Sequence, residues 1–129
     1  MKRVLALLAM AVFCLLRPAF SLAEQTPPST AEKIEVTIVG EVIEPVCYLD
    51  HGGRGQDHKA CALSAAQLGL PVAILEDDTE FLYVAITPDH KPANGMLESY
   101  LAQRVEVRGK LIEGNGLTLI EVEEVKPAA

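Results

Sequence analysis

The chain has 129 residues, a net charge of −7, a half-apolar composition, three cysteines, three histidines and no tryptophan. That length fits one small domain with a modest core. The acidic balance disfavours any partner built on a phosphate backbone.

Residues 1–23 have the layout of a secretory signal peptide. Lys2 and Arg3 form a basic start, Val4 to Leu16 is a thirteen-residue apolar run, and Ser21-Leu22-Ala23 supplies small residues at the cleavage positions. The run is short of the ~20 residues that span a bilayer as a helix. Bulky Phe13 before Cys14 disfavours lipid attachment. The expected product starts at Glu24, is periplasmic or secreted, and touches the membrane only through the leader before cleavage. Its 106 residues carry 8 basic and 18 acidic side chains, a net −10. Its two cysteines lie in a compartment that tolerates disulfides.

Residues 24–33, with Pro27-Pro28, read as a flexible lead-in, and 34–126 as the domain. From Ile34 the pattern alternates, with Ile34, Val36, Ile38, Gly40 and Val42 on one face and Glu35, Thr37 and Glu41 opposite, which predicts a half-buried strand running to about Tyr48. Gly40 marks a bulge or a close approach of another strand, and Pro45 an edge or bend. Gly52 to Gly55 is a loop by composition. A helix is expected after an Asp57 N-cap, closed by Gly69 and Pro71, with Cys61, Ala65 and Leu68 as its buried stripe. Strands at 72–75 and 81–86 flank the acidic turn 76–80. Asn94-Gly95 introduces a short helix with Leu97, Tyr100 and Leu101 on one face. Strands 105–112 and 117–125 close the chain around Gly114-Asn115-Gly116.

These elements predict a mainly β fold. It is a small five-stranded OB-like Greek-key barrel, with a helix between strands 3 and 4 and an inserted cysteine-bearing helix after strand 1.

The chemistry concentrates between Cys47 and Cys61, where two cysteines and two histidines fall within fifteen residues. His58 and Cys61 stand three apart on the predicted helix and share a face. A tight crossover from strand 1 would add Cys47 and His51. Two thiolates and two imidazoles form an accepted tetrahedral zinc set, and thiolates also suit Cu(I). The spacing C-x3-H-x6-H-x2-C matches no common zinc module. Asp50 and Asp57 can orient the imidazoles, although Asp57 is more simply a cap. The competing reading is a Cys47–Cys61 disulfide, worth roughly 3 kcal/mol for a loop of this length. The two exclude each other in one molecule, since a bridged sulfur is no thiolate. A redox-catalytic pair is disfavoured because the cysteines are not C-x-x-C.

The segments GEVIEPVCYLDH (40–51), HKACALSAAQLGLPVAIL (58–75), LYVAI (82–86) and VEVRGKL (105–111) resemble a family of small exported OB-like domains of bacterial envelope proteins, of unknown function. The resemblance implies the barrel, export and a Cys-His-Cys pattern matched by Cys47, His51 or His58, and Cys61. Ala65 stands where many members carry a further cysteine, so no three-thiolate site is implied.

Other motifs carry less. Gly52-Gly53-Arg54-Gly55 lacks the ending and spacing of a phosphate-binding loop. The run Glu76 to Glu80 is explained by a solvated turn, and His90 by a proline-flanked surface loop. Oligonucleotide binding by an OB barrel needs a basic groove and stacking aromatics. The mature chain offers only Tyr48, Phe81, Tyr83 and Tyr100, so no nucleic acid is expected. The expected function is that of an exported, non-catalytic binding domain holding zinc or copper through Cys47, His51, His58 and Cys61. The alternative is a disulfide-clasped module that binds an envelope protein or carbohydrate.

Overall fold

In the computed structural model the described residues are 33–129; the expected leader and all of the lead-in except Lys33 lie outside them. Alternation along Ile34–Ile43 builds strand β1, with Ile38 and Val42 turned into the core. Strands β2 (Ala73–Glu76), β3 (Leu82–Ile86), β4 (Arg104–Gly114) and β5 (Leu117–Pro127) follow. They close as β1-β2-β3-β5-β4, with β1 paired to both β2 and β4. The β3–β5 pairing is parallel and all the others are antiparallel. This is the expected small OB-like barrel.

Glycine makes the closure possible at two places. A Cβ on Gly40 would sit 2.2 Å from the Leu75 carbonyl oxygen, and one on Gly109 equally close to that of Glu121. Gly40 is where β1 passes from β4 to β2, pairing with Val105 on one side and Glu76 on the other. Gly109 adjoins the register shift between β4 and β5.

The core joins the inward residues of all five strands to two helical insertions. Val42, Ile74, Val105, Val107 and Ile120 meet Ala62 and Ala66 of α2 (Lys59–Gln67). Leu97 of α3 (Asn94–Leu97) and Leu101 are fully buried in the same cluster, with Tyr100 packed against it. A second cluster, Ile43, Ala73 and Leu75, packs with Tyr48 and Leu82 and anchors helix α1 (Pro45–His51).

Three expectations are corrected here. Strand β1 stops at Ile43, and Pro45–His51 is a helix, so Cys47 does not end a strand. The physical reason is Glu44, whose carboxylate caps α1 while Pro45 occupies its first turn. The buried stripe of α2 is Ala62 and Ala66; Cys61 is exposed and Leu68 is 83% exposed. Asp57 does not cap α2. It lies in a 3-10 turn, Gln56–His58, and His58 takes the N-cap position without a side-chain bond. The helix therefore starts one residue later than the sequence pattern implies, and Gly69, at φ 94°, follows its end as expected.

Candidate functional site

The Cys/His segment folds as two short helices joined by a pinned loop. At the junction of β1 and α1, Glu44 is 2% exposed. Its carboxylate accepts the backbone N–H groups of Val46 at 2.9 Å and Cys47 at 2.7 Å. Burial raises the Glu44 carboxyl, but these donors outweigh it and hold it below its ordinary value. The carboxylate works the other way on Cys47. The Glu44 carboxylate, then the neighbouring Cys61, push its thiol up to about 12. Cys47 is therefore a protonated thiol at neutral pH in this arrangement.

Gly52, at φ 71°, ends α1 by donating to the Tyr48 carbonyl at 2.8 Å, and the Gly53 N–H reaches the Cys47 carbonyl at 3.0 Å. Glu41 on β1 then holds the loop. Its carboxylate accepts the Gly55 N–H at 2.5 Å and Arg54 Nε at 3.3 Å, while Arg54 Nη1 reaches Glu80 at 3.1 Å. Gln56 Nε2 donates to the Ala102 carbonyl at 2.8 Å. The glycine loop is thus tied to the barrel at several points.

This framework brings Cys47 Sγ within 3.4 Å of Cys61 Sγ. Both are free thiols, Cys61 exposed and Cys47 half-buried. The histidines form a second pair, His51 and His58, with ring centroids 5.5 Å apart. His51 Nδ1 lies 3.2 Å from Asp50, the orienting partner expected of it. His58 Nδ1 lies 3.2 Å from the Arg54 carbonyl. A carbonyl only accepts, so this contact places the proton on Nδ1 and leaves the Nε2 lone pair free. Gly53 is what lets the two pairs lie close: a Cβ there would meet His58 Cδ2 at 2.9 Å and Cys47 Cβ at 3.0 Å.

The four predicted residues are therefore gathered on one loop, but as two pairs. Among the described residues, no three Cys, His, Asp or Glu side chains form a ready metal cage. No known family, curated protein or solved structure matches the chain.

Glu41, Glu44, Gly53 and Arg54 are the contributors that pattern reading passed over. The signal for Glu44 was present: an acceptor immediately before a proline is compatible with a cap followed by a first helical turn. Glu44 and His58 also border a small cavity, about 10 Å³, beside Glu41 and Ala62. It has room for roughly one water. The remaining candidates are unremarkable in chemistry. The acidic turn is an ordinary hairpin connection in which Thr79 bonds Glu76. His90 sits at φ 61° in the Thr87–Lys91 loop, where Asp89 is held down to about 2 by Lys91 and Thr87.

Proposed function

We propose that this protein is an exported, non-catalytic binding domain that holds one soft metal ion, zinc or copper, on the loop between Cys47 and Cys61. The observation that carries the reading is the 3.4 Å separation of the two free sulfurs. Two thiolates on one tetrahedral ion, with bonds of about 2.3 Å, stand about 3.8 Å apart. The pair needs only a small opening to chelate. His58, with Nδ1 engaged by a backbone carbonyl, has the tautomer of a ligating imidazole. It is the third donor, its ring edge and the Cys47 Cβ both lying against Gly53. His51 is the fourth. The barrel serves as the rigid base from which Glu41 and Glu44 position the loop.

A second reading rests on the same distance. Adjacent cysteines in an oxidising compartment close as a disulfide, and α1 and α2 are then clasped together in a module whose barrel face binds an envelope protein or carbohydrate.

Native mass spectrometry of the protein recovered from the exporting compartment tests both. The metal reading expects one ion per chain, lost in Cys47→Ser and in Cys61→Ser, and held roughly tenfold or more weakly in His58→Ala. Acid denaturation with alkylation should then label both thiols. A metal-free protein that resists alkylation until reduced would refute the metal reading and leave the clasp.

A further inference from the structure

We propose that Cys47 and Cys61 form a thiol–disulfide exchange site, in which Cys61 takes an incoming disulfide and Cys47 resolves it. The two sulfurs differ in surroundings. Cys61 is exposed on α2, whereas Cys47 is half-buried, backed by the Glu44 carboxylate and close to the position a Gly53 side chain would fill. Attack on a disulfide requires open access to the attacking sulfur, and only Cys61 offers it freely. Once Cys61 is derivatised, the resolving sulfur is already 3.4 Å away. Bond formation at about 2.05 Å then needs a movement of about 1.4 Å. The cysteines sit on two different helices, so a small slide of α1 against α2 supplies it.

The exchange balances as two displacements. Cys61, as thiolate, attacks one sulfur of an external disulfide; that S–S bond breaks, a mixed disulfide forms on Cys61, and the first external thiol leaves with a proton. Cys47 then loses its proton, its sulfur attacks Cys61 Sγ, and the second external thiol leaves. Two protein thiols are oxidised and one external disulfide is reduced to two thiols. The substrate class is an accessible disulfide, small or on a peptide.

Glu44 is the positioning residue. Its carboxylate accepts the Cys47 N–H at 2.7 Å and so fixes the helical turn that carries the Cys47 sulfur. That contact sets where the Cys47 sulfur stands relative to Cys61. The exchange does not rest on the metal reading. Where an ion is held by the same sulfurs, closure removes both thiolates and releases it.

The test uses the exported protein, reduced and stripped with a chelator, mixed with oxidised glutathione and, in a parallel arm, with a disulfide-bonded peptide. Intact mass follows the products. Wild type should end as the internal disulfide with only transient adduct. Cys47→Ser should accumulate one adduct on Cys61, and Cys61→Ser should react roughly tenfold more slowly. Equal adduct rates in the two variants, or wild type that never closes, would overturn the proposal. Reaction in one arm alone identifies the source of the disulfide as small-molecule or peptide. Glu44→Ala should prolong the mixed disulfide on Cys61 roughly fivefold while leaving its rate of formation unchanged; unchanged resolution removes Glu44 from the mechanism. A zinc titration separates the two readings. Closure without zinc binding sinks the metal and keeps the exchange, and zinc binding by a pair that never closes does the reverse.

Discussion

Glu44 is a carboxylate 2% exposed between β1 and α1, and it does work usually given to a shorter side chain. Serine, threonine, aspartate and asparagine are the favoured helix caps; glutamate reaches the Val46 and Cys47 amides here because Pro45 sets the turn that follows. Removing it leaves two amide donors without their acceptor at a part-buried junction. Glu44→Ala should cost about 1–2 kcal/mol, read as a lower urea midpoint with an unchanged slope. The same variant should label faster at Cys47 with a thiol reagent, because the carboxylate that pushes its thiol up is gone. The cysteines and histidines themselves were legible in the sequence as a cluster, since residue type and spacing alone mark them. Their sorting into a sulfur pair and an imidazole pair was not, because it depends on Gly53 and on the Arg54 carbonyl, neither of which has a chemical signature of its own.

At the scale of elements, the two inserted helices and α3 are short, and isolated helices of this length are unstable in water. They persist through tertiary bonds. Asn94 is the clearest case. Its Nδ2 donates to the carbonyls of Ala66 at 2.9 Å and Leu70 at 2.8 Å, and its Oδ1 accepts the Val72 amide at 3.3 Å. One side chain thereby joins the end of α2, the start of β2 and the first turn of α3. Asn94→Ala should lower stability by about 2–3 kcal/mol. Asn94→Asp should not rescue it, because a carboxylate has no proton for the two carbonyls; thermal melts of both variants check this. The Asn-Gly pair reads in the sequence as the start of a helix, and α3 does begin there. The stripe of α2 was misplaced because its apolar residues are mostly alanines and a leucine near its end. Burial is then decided by which side meets the barrel rather than by periodicity.

For the whole molecule, closure of the barrel depends on β1 serving two neighbours, and Gly40 is the point of transfer. Its missing side chain admits the Leu75 carbonyl into the space a Cβ would occupy. Gly40→Ala should therefore cost about 1–3 kcal/mol or more by forcing β1 from β2. Gly114→Ala, at a position with open space around it, should stay within about 0.5 kcal/mol of wild type. Urea denaturation of the two variants side by side makes the comparison. The outer surface of β4 and β5 is laced with ion pairs, Lys110–Glu123 at 3.0 Å and Lys126–Glu106 at 2.8 Å among them. Exposed pairs of this kind contribute little to stability, and they describe a solvated face.

Strand identity, the order of the strands and the five-stranded barrel were determined by the sequence itself, whereas helix α1 was not. Alternation from Ile34 and along 105–111 is a local property, and so are the glycines and turn residues that separate the strands. Gly40 announced a close approach before any partner was known. What only the tertiary structure decided is where β1 ends, which face of α2 is buried and how the cluster pairs. Each of these rests on contacts between residues distant in the chain or on backbone groups shared by every residue type. The end of β1 turns on whether the Glu44 carboxylate is buried under α1. The loop geometry turns on Glu41 and Glu80 reaching Arg54 across 13 and 26 residues. The 3.4 Å between the sulfurs is set by two helices packed against one barrel. Composition and spacing name the atoms that can react; folding decides which of them meet.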